Sequence, residues 1–120
     1  MKINIIIDKN NNDSNLDSNI LHFLFKKIKD KTDIKVLDYN NFKCEKASIN
    51  IFCGVVNNIL FNYAKTNILI INQQEFSKAW IPFINNFDYV IAKTKYIENI
   101  LSNLISKKKI KYLSWRSSDL

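Results

Sequence analysis

The sequence predicts an α/β fold: one Rossmann-like, doubly wound, mainly parallel sheet of about six strands with flanking helices. Nearly continuous apolar runs at residues 2–8 and 68–71 are typical of strands covered on both faces, as parallel strands are. Helical stretches separate most of the runs, and parallel neighbours need a crossover of that length. With 120 residues, 47% of them apolar, the chain can bury one core, so a single domain over residues 1–120 is expected.

The first strand, residues 2–8, leads into a polar, Asn-rich loop and then a helix. The loop contains no glycine, so it cannot form the Gly-rich turn that approaches a dinucleotide pyrophosphate, which argues against an NAD or FAD domain. Asp17 or Ser18 can cap the helix. Its apolar residues at helical spacing are Ile20, Leu21, Phe23, Leu24 and Ile28.

Two further strands complete the first half. Residues 33–39 alternate between apolar and polar, which predicts a strand near the sheet edge, and residues 48–52 form the next strand. Gly54, the only glycine, marks a tight turn or a close backbone approach. Asn57 can then cap a short helix.

The second half supplies strands at residues 68–71, 89–92 and 110–113. A short helical crossover joins the first two, and its apolar residues are Phe76, Trp80, Ile81 and Phe83. Thr94 is a candidate cap for a helix whose apolar face comprises Ile97, Ile100, Leu101, Leu104 and Ile105. The strand order 3-2-1-4-5-6 is expected for a doubly wound sheet of this kind.

The net charge of +7 is concentrated in the second half of the chain. Residues 1–60 hold nine Lys and seven acids, whereas residues 61–120 hold nine Lys or Arg and four acids. A basic surface can attract phosphate-bearing ligands or nucleic acid. No binding motif with interleaved aromatic residues accompanies the charge, so we interpret it as a solvated face and do not expect a nucleic-acid partner.

Cysteine, histidine and hydropathy patterns exclude several classes of protein. Cys44 and Cys53 lack CxxC spacing and His22 is the only histidine, so no metal site is expected, and no cofactor is implied. Two reduced thiols are the favoured state, with a disulfide as the alternative, and His22 is interpreted as a partly exposed packing residue. No run of eighteen apolar residues exists, which predicts a cytoplasmic protein without a membrane span.

Polar residues follow the predicted strands, and carboxyl ends of parallel strands share the edge where ligands bind. We therefore expect these residues to line one face that suits sugar hydroxyls or a phosphate. The substrate-binding candidates are Gly54, Asn57, Asn72, Gln73, Thr94, Lys95, Ser117 and Ser118. Glu75 and Asp119 are candidate catalytic carboxylates that could orient or deprotonate a hydroxyl. The competing interpretation is that Thr94 only caps a helix and Glu75 only faces solvent at a helix start.

Three segments resemble the amino-terminal lobe of the two-lobed (GT-B) glycosyltransferases of the group 1 type. The first is NQQEF at residues 72–76, followed by Trp80, and the second is FDYVIAKTKYIENIL at residues 87–101. The third is the closing YLSWRSSD at residues 112–119. The likeness covers the second half well and the first half only by strand pattern, and the Gly-rich first loop common in the family is missing.

The resemblance implies a role on the acceptor side of a sugar-transfer site. In that family the carboxyl-terminal lobe holds most of the sugar nucleotide, and this chain ends where that lobe would begin, so we expect it to be inactive alone. The implied partners are a carbohydrate or sugar-nucleotide ligand and either a second lobe or another copy of the chain. The alternative is a non-catalytic α/β binding or assembly module that uses the same crevice or the partner-lobe surface. Whether the chain is an enzyme therefore stays open.

Overall fold

The computed structural model describes residues 1–11, 14–15, 17–22, 33–40, 45–71, 78–103 and 109–112. They form one six-stranded sheet in which every neighbouring pair of strands is parallel, which confirms the predicted fold class. The strands are β1 (Lys2–Ile7), β2 (Asp33–Asp38), β3 (Ala47–Cys53), β4 (Ala64–Ile71), β5 (Tyr89–Ala92) and β6 (Ile110–Tyr112).

Helical segments connect the strands of the described chain. Residues 14–15 and 17–22 are helical and form α1, which follows β1. Two 3-10 helices, η1 (Asn58–Tyr63) and η2 (Lys78–Asn86), follow β3 and β4, and α2 (Lys95–Leu101) follows β5. Helical crossovers of this kind are the usual connections between parallel strands.

The strand order is β2-β1-β3-β4-β5-β6, so the predicted order 3-2-1-4-5-6 is wrong. Strand β3 pairs with β1, and β2 lies at the edge. The residues of β2 are at most partly buried, which suits an edge strand, whereas β3 carries a buried Asn50 that pairs with the buried Asn4 of β1. Burying these two amides opposite each other is possible only when β1 and β3 are neighbours.

Both faces of the sheet are covered, as the apolar runs predict. Alternate residues of each strand point to opposite faces. The face beneath η1, η2 and α2 buries Ile6, Phe52, Leu60, Leu69, Ile71, Ile84, Phe87, Val90, Ala92, Ile97 and Leu101. The opposite face, against which α1 packs, buries Ile3, Ile5, Ile7, Leu21, Ile51, Cys53 and Ile70.

Three aromatic rings form the centre of the larger cluster. Phe52 lies 5.6 Å from Phe61 and 5.3 Å from Phe87, and Phe61 lies 4.9 Å from Phe87. All three pairs meet edge to face, the arrangement that ring quadrupoles favour. The contacts join β3, η1 and the residue that follows η2.

A row of buried asparagines crosses the sheet on this face. Asn4, Asn50 and Asn67 are aligned by the register of β1, β3 and β4. Asn4 Nδ2 donates to Asn50 Oδ1 at 3.0 Å, and Asn50 Nδ2 donates to Asn67 Oδ1 at 3.1 Å. Asn50 Nδ2 also donates to the Leu60 carbonyl (2.8 Å) and Asn67 Nδ2 to the Phe61 carbonyl (3.0 Å). The row therefore connects three strands to η1.

The predicted amino-terminal helix caps are right for two helices and wrong for the third. Asn57 Oδ1 accepts from Ile59 N, and Thr94 Oγ1 accepts from Ile97 N, as predicted. At α1 the predicted caps Asp17 and Ser18 are wrong, since both lie inside the helix.

Asn11 makes the hydrogen bonds that cap α1. Its Oδ1 accepts from Ser14 N at 3.0 Å, and its carbonyl accepts from Asn15 N at 3.1 Å. Asn11 therefore serves as the amino-terminal cap, three residues before Ser14.

The apolar face of α2 is narrower than predicted. Ile97 and Leu101 are buried, whereas Ile100 is 40% exposed. Leu104 and Ile105 lie outside the described residues, as does Phe76 of the predicted crossover. The predicted face is therefore right for two of its five residues and wrong for Ile100.

Candidate functional site

The candidate site lies at the carboxyl edge of the sheet, beside the junction of β1 and β3. The chain runs from β1 to the neighbouring edge strand β2, then returns to β3 and continues stepwise to β6. The direction of travel therefore reverses between β1 and β3, and α1 lies on the opposite face from η1, η2 and α2. In open α/β sheets such a reversal opens a crevice outside the carboxyl ends of the strands, where ligands bind.

Ser14 joins the ends of the two strands that flank the crevice. Its Oγ accepts a hydrogen bond from Asp8 N at 2.9 Å and donates one to the Cys53 carbonyl at 2.8 Å. Ser14 is buried, with 1% of its surface exposed. The start of α1 is thereby attached to the carboxyl ends of β1 and β3.

Two carboxylates lie at the carboxyl ends of β1 and β2: Asp8 follows β1, and Asp38 is the last residue of β2. Asp8 Oδ1 accepts from Asn10 N at 3.0 Å, and Asp38 Oδ1 accepts from Lys9 N at 3.0 Å. Both side chains are partly exposed. Backbone amides thus hold the carboxylates at the edge, where their remaining lone pairs can accept hydrogen bonds from a ligand.

An ion pair connects α1 to the turn after β5. Lys93 Nζ lies 2.7 Å from Asp17 Oδ1, and the side chains retain 12% and 0% of their accessible surface, respectively. The backbone N–H of Lys93 also donates to the Ile71 carbonyl at 3.1 Å. Lys93 is therefore held both by the sheet and by α1.

Cys53 lies at the end of β3, next to this ion pair. It is a free thiol and fully buried. Burial raises the pKa of the Cys53 thiol far above its usual range, and the negative charge of Asp17 raises it further while Lys93 opposes the shift. The thiol stays protonated at neutral pH, so Cys53 is not a nucleophile. Cys44 lies outside the described residues.

Gly54 and Asn57 follow β3 at the same edge. Gly54 has φ 71°, which a residue with a Cβ adopts only with strain, and its N–H donates to the Ile70 carbonyl at 2.8 Å. Asn57 caps η1 through Oδ1 and donates from Nδ2 to the Tyr39 carbonyl at 2.8 Å. The hydrogen bonds of both residues therefore shape the loop that borders the crevice.

Thr94 and Lys95 follow β5. Thr94 Oγ1 accepts from Ile97 N at 3.1 Å, so its side chain acts as the cap that the competing interpretation assigned to it. Lys95 is 68% exposed and pairs with Glu98 at 3.3 Å, and its Nζ lies 4.1 Å from the centre of the Tyr112 ring. Lys95 therefore lies near the carboxyl end of β6, on the far side of the edge from β1.

The remaining predicted site residues lie outside the described residues, so the common face remains a prediction for them. They are Asn72, Gln73, Glu75, Ser117, Ser118 and Asp119. Gly54, Asn57, Thr94 and Lys95 all follow carboxyl ends of strands, but they span the edge from β3 to β6.

Sequence reasoning missed Asp8, Ser14, Asp17 and Lys93 as members of one site. Asp8 and Lys93 directly follow buried strands, and that position could have identified both. The partnership of Asp17 with Lys93 joins residues 76 positions apart and has no sequence signal. It depends on the placement of α1 against the sheet.

Other features of the described chain lie away from this crevice. A hollow of about 250 Å³ is bordered by Glu98, Asn99, Ser102 and Ile110, between α2 and β6. His22 is partly exposed on α1, as predicted. At the amino edge, hydrogen bonding and attraction from Lys35 lower the pKa of the exposed Glu45 carboxyl.

Two kinds of feature are absent from the described residues. They contain no group of three His, Cys, Asp or Glu side chains arranged to hold a metal ion. No helix within those ranges is long and apolar enough to cross a membrane.

Comparison with known proteins found no family model, no curated protein and no solved structure that matches this chain. The residues and their geometry are therefore the basis of the functional proposal.

Proposed function

We propose that this chain forms the acceptor-side lobe of a two-lobed, cytoplasmic glycosyltransferase and binds a carbohydrate at the carboxyl edge of its sheet. The observation that carries the proposal is the polar carboxyl edge of the sheet, where Asp8 and Asp38 lie at the ends of β1 and β2 and Lys93 follows β5. Asp8 and Asp38 offer acceptors for hydroxyl protons, and Lys93 offers a donor for hydroxyl oxygens. Such a set suits a polyhydroxyl ligand.

The resemblance at residues 87–101 supports the same function. These residues form strand β5, a turn with Lys93, the cap Thr94 and helix α2, which is the strand, turn and helix that the motif implies. The motif places polar residues at the carboxyl end of a buried strand. That position is where an acceptor-side lobe meets its substrate.

Binding of simple sugars tests the proposal directly. Methyl glycosides of glucose, galactose and mannose should shift the amide resonances of Asp8, Gly54 and Lys93 in ¹⁵N-labelled protein, because these residues follow the carboxyl ends of β1, β3 and β5. Residues at the amino edge, such as Lys65 and Ser48, provide the internal control. If no glycoside shifts any resonance at the carboxyl edge, the chain is not an acceptor lobe.

Turnover of sugar nucleotides by this 120-residue chain alone is not expected. In the family that the chain resembles, the other lobe holds the diphosphate, and the loop after β1 has no glycine with which to approach it. Release of UDP or GDP from a nucleotide sugar should stay at the rate of the buffer control. Turnover that a point substitution in this chain abolishes would contradict the expectation.

The second candidate is a non-catalytic binding module that uses the same crevice. It is favoured by the side chains of Cys53, Thr94 and Asn57, since the thiol is held protonated and the other two are engaged in caps. A transfer assay separates the candidates once a glycoside is known to bind. Transfer to that glycoside in the presence of a donor-binding lobe identifies an enzyme, and binding without transfer identifies the module.

A further inference from the structure

A basic row lies next to the asparagine row, at the amino edge of the sheet. It consists of Lys2 of β1, Ser48 of β3 and Lys65 of β4. Each of these residues precedes an asparagine of the asparagine row by two positions, so all three lie on the same face of the sheet as that row. The parallel register of β1, β3 and β4 places them side by side, with Ser48 between the two lysines.

A hollow of about 210 Å³ lies beside the basic row. It is bordered by Lys2, Lys46, Ala47 and Ser48. Neighbouring strands are about 4.8 Å apart, so the backbones at Lys2 and Lys65 are separated by about 10 Å across Ser48, a gap that two lysine side chains can span. A water molecule occupies about 30 Å³ in the liquid, so the hollow has room for a phosphate group.

Positive charge is in excess around this hollow. The charged side chains at the amino ends of β1 to β4 are Lys2, Lys35, Lys46 and Lys65 against Asp33 and Glu45. Glu45 pairs with Lys35 and lies 4.0 Å from Lys2. Lys46 and Lys65 are exposed and form no ion pair with a described residue. The hollow therefore favours an anion over a cation or a neutral molecule.

The hydrogen-bond donors of the basic row match the oxygens of a phosphate group. Each ammonium carries three N–H donors and no acceptor, and the hydroxyl of Ser48 adds a donor between the two lysines. Bonds from an ammonium to a phosphate oxygen are charge-assisted, which makes them stronger than bonds between neutral groups. The side chain of Lys2 is 59% exposed and Ser48 is also exposed, so a ligand from solvent can reach them.

We propose that the amino edge of the sheet holds an anion site, formed by Lys2, Ser48 and Lys65 with Lys46 beside them, that binds the phosphate group of a small phosphate ester. The inference does not depend on the proposed function, because it concerns the opposite edge of the sheet from the carbohydrate site.

The test is an NMR titration of ¹⁵N-labelled protein with inorganic phosphate at constant ionic strength. The amide resonances of Ser48 and Lys65 should shift with saturation, and those of Gly54 and Lys93 at the carboxyl edge should not. Lys2→Met and Lys65→Met should each raise the Kd at least about fivefold, since each removes a charge-assisted contact. Lys111→Met removes the same charge from an exposed lysine of β6 and should leave the Kd unchanged.

Two further ligands separate the class of ligand. Glucose 6-phosphate should shift the same two resonances with saturation, whereas a methyl glucoside should not, because the phosphate group is the part that is recognised. Shifts that do not saturate, or an equal rise of the Kd in Lys111→Met, would show attraction to the net charge alone and refute the site. If a short oligothymidylate shifts Ser48 and Lys65 and glucose 6-phosphate does not, the ligand is a nucleic acid and the assignment to a small ester is wrong. None of these outcomes alters the carbohydrate test at the carboxyl edge.

Discussion

Asn50 shows how a polar side chain can be indispensable in an apolar sheet. It is fully buried, and its amide connects Asn4 on one side to Asn67 on the other while also reaching the Leu60 carbonyl. The sequence predicts a strand over residues 48–52 but does not predict the contacts of Asn50. Those contacts depend on the register of three strands, which no single strand encodes.

Asn50→Ala should lower the free energy of unfolding by about 3 kcal/mol, because it removes three buried hydrogen bonds, to Asn4, Asn67 and the Leu60 carbonyl. Urea denaturation followed by circular dichroism measures the change. Asn58→Ala, at an exposed position on η1, is the matched control and should change stability by less than about 0.5 kcal/mol. If the two variants lose the same free energy of unfolding, the hydrogen bonds of the asparagine row do not contribute to stability.

Cys53 should be unreactive in the folded protein. With Cys44 replaced by Ser, Cys53 is the only thiol, and its raised pKa and burial should prevent alkylation by iodoacetamide at about pH 8 until denaturant is added. Mass spectrometry detects the adduct. Rapid labelling of the native protein would show that the thiol is accessible.

The raised pKa of Cys53 also makes the free energy of unfolding depend on pH in the alkaline range. Unfolded Cys53 loses its proton above about pH 8.5, whereas the folded thiol keeps it, so stability is fully present below that pH and falls above it. At about pH 9.5 the loss attributable to this group is about 1.4 kcal/mol. Urea titrations across this range should show that loss in wild type and not in Cys53→Ala.

At the scale of single elements, the strands were easier to predict than the helix starts. The predicted bounds of β5 are those observed, and β1, β2 and β3 differ by one or two residues, whereas β4 begins at Ala64 instead of residue 68. The cap of α1 was misassigned because Asn11, Asp17 and Ser18 all have side chains that can cap a helix. The burial of Asp17 against Lys93 decided between them, and that contact comes from tertiary structure.

Thr94→Ala should lower the free energy of unfolding by about 1 kcal/mol, since Ile97 N loses its acceptor at the start of α2. Thr94→Ser keeps the oxygen and is the control, with little expected change. Thermal denaturation of the two variants measures the effect. If Thr94→Ala retains wild-type stability but weakens glycoside binding, Thr94 belongs to the site rather than to the cap.

At the scale of the whole molecule, the sequence predicts the class of fold but not the order of its strands. The predicted position of β2 near the sheet edge fits both the predicted order 3-2-1-4-5-6 and the observed order β2-β1-β3-β4-β5-β6. The two orders differ in which strand pairs with β3. Pairing of β3 with β1 creates the crevice beside Ser14 and Asp8. The location of the candidate site therefore could not be derived from any one segment.

The Asp17–Lys93 pair joins distant parts of the molecule, and a double-mutant cycle measures its contribution. Asp17→Asn and Lys93→Met should each lower the free energy of unfolding by about 3 kcal/mol, because each removes one charge of an ion pair that is largely shielded from water. The double variant should lose at least about 1 kcal/mol less than the sum. The exposed pair of Lys95 with Glu98 is the control, with a coupling of about 0.5 kcal/mol or less. Purely additive losses at Asp17 and Lys93 would refute the coupling.

The asparagine row also removes an ambiguity that an isoleucine-rich sheet would otherwise have. Residues 3, 5 and 7 of β1, 49 and 51 of β3, and 68 and 70 of β4 are all isoleucine, so sliding one strand by two residues would place isoleucine against isoleucine again. Apolar contacts alone would therefore distinguish the native register only weakly from the shifted one. Such a shift would, however, separate the paired asparagines and set them against residues such as Ile6, Phe52 or Leu69, which leaves buried amide groups without their hydrogen bonds. The three asparagines therefore select one register of strand pairing. A chain without them would be prone to form sheets of shifted register with nearly the same energy.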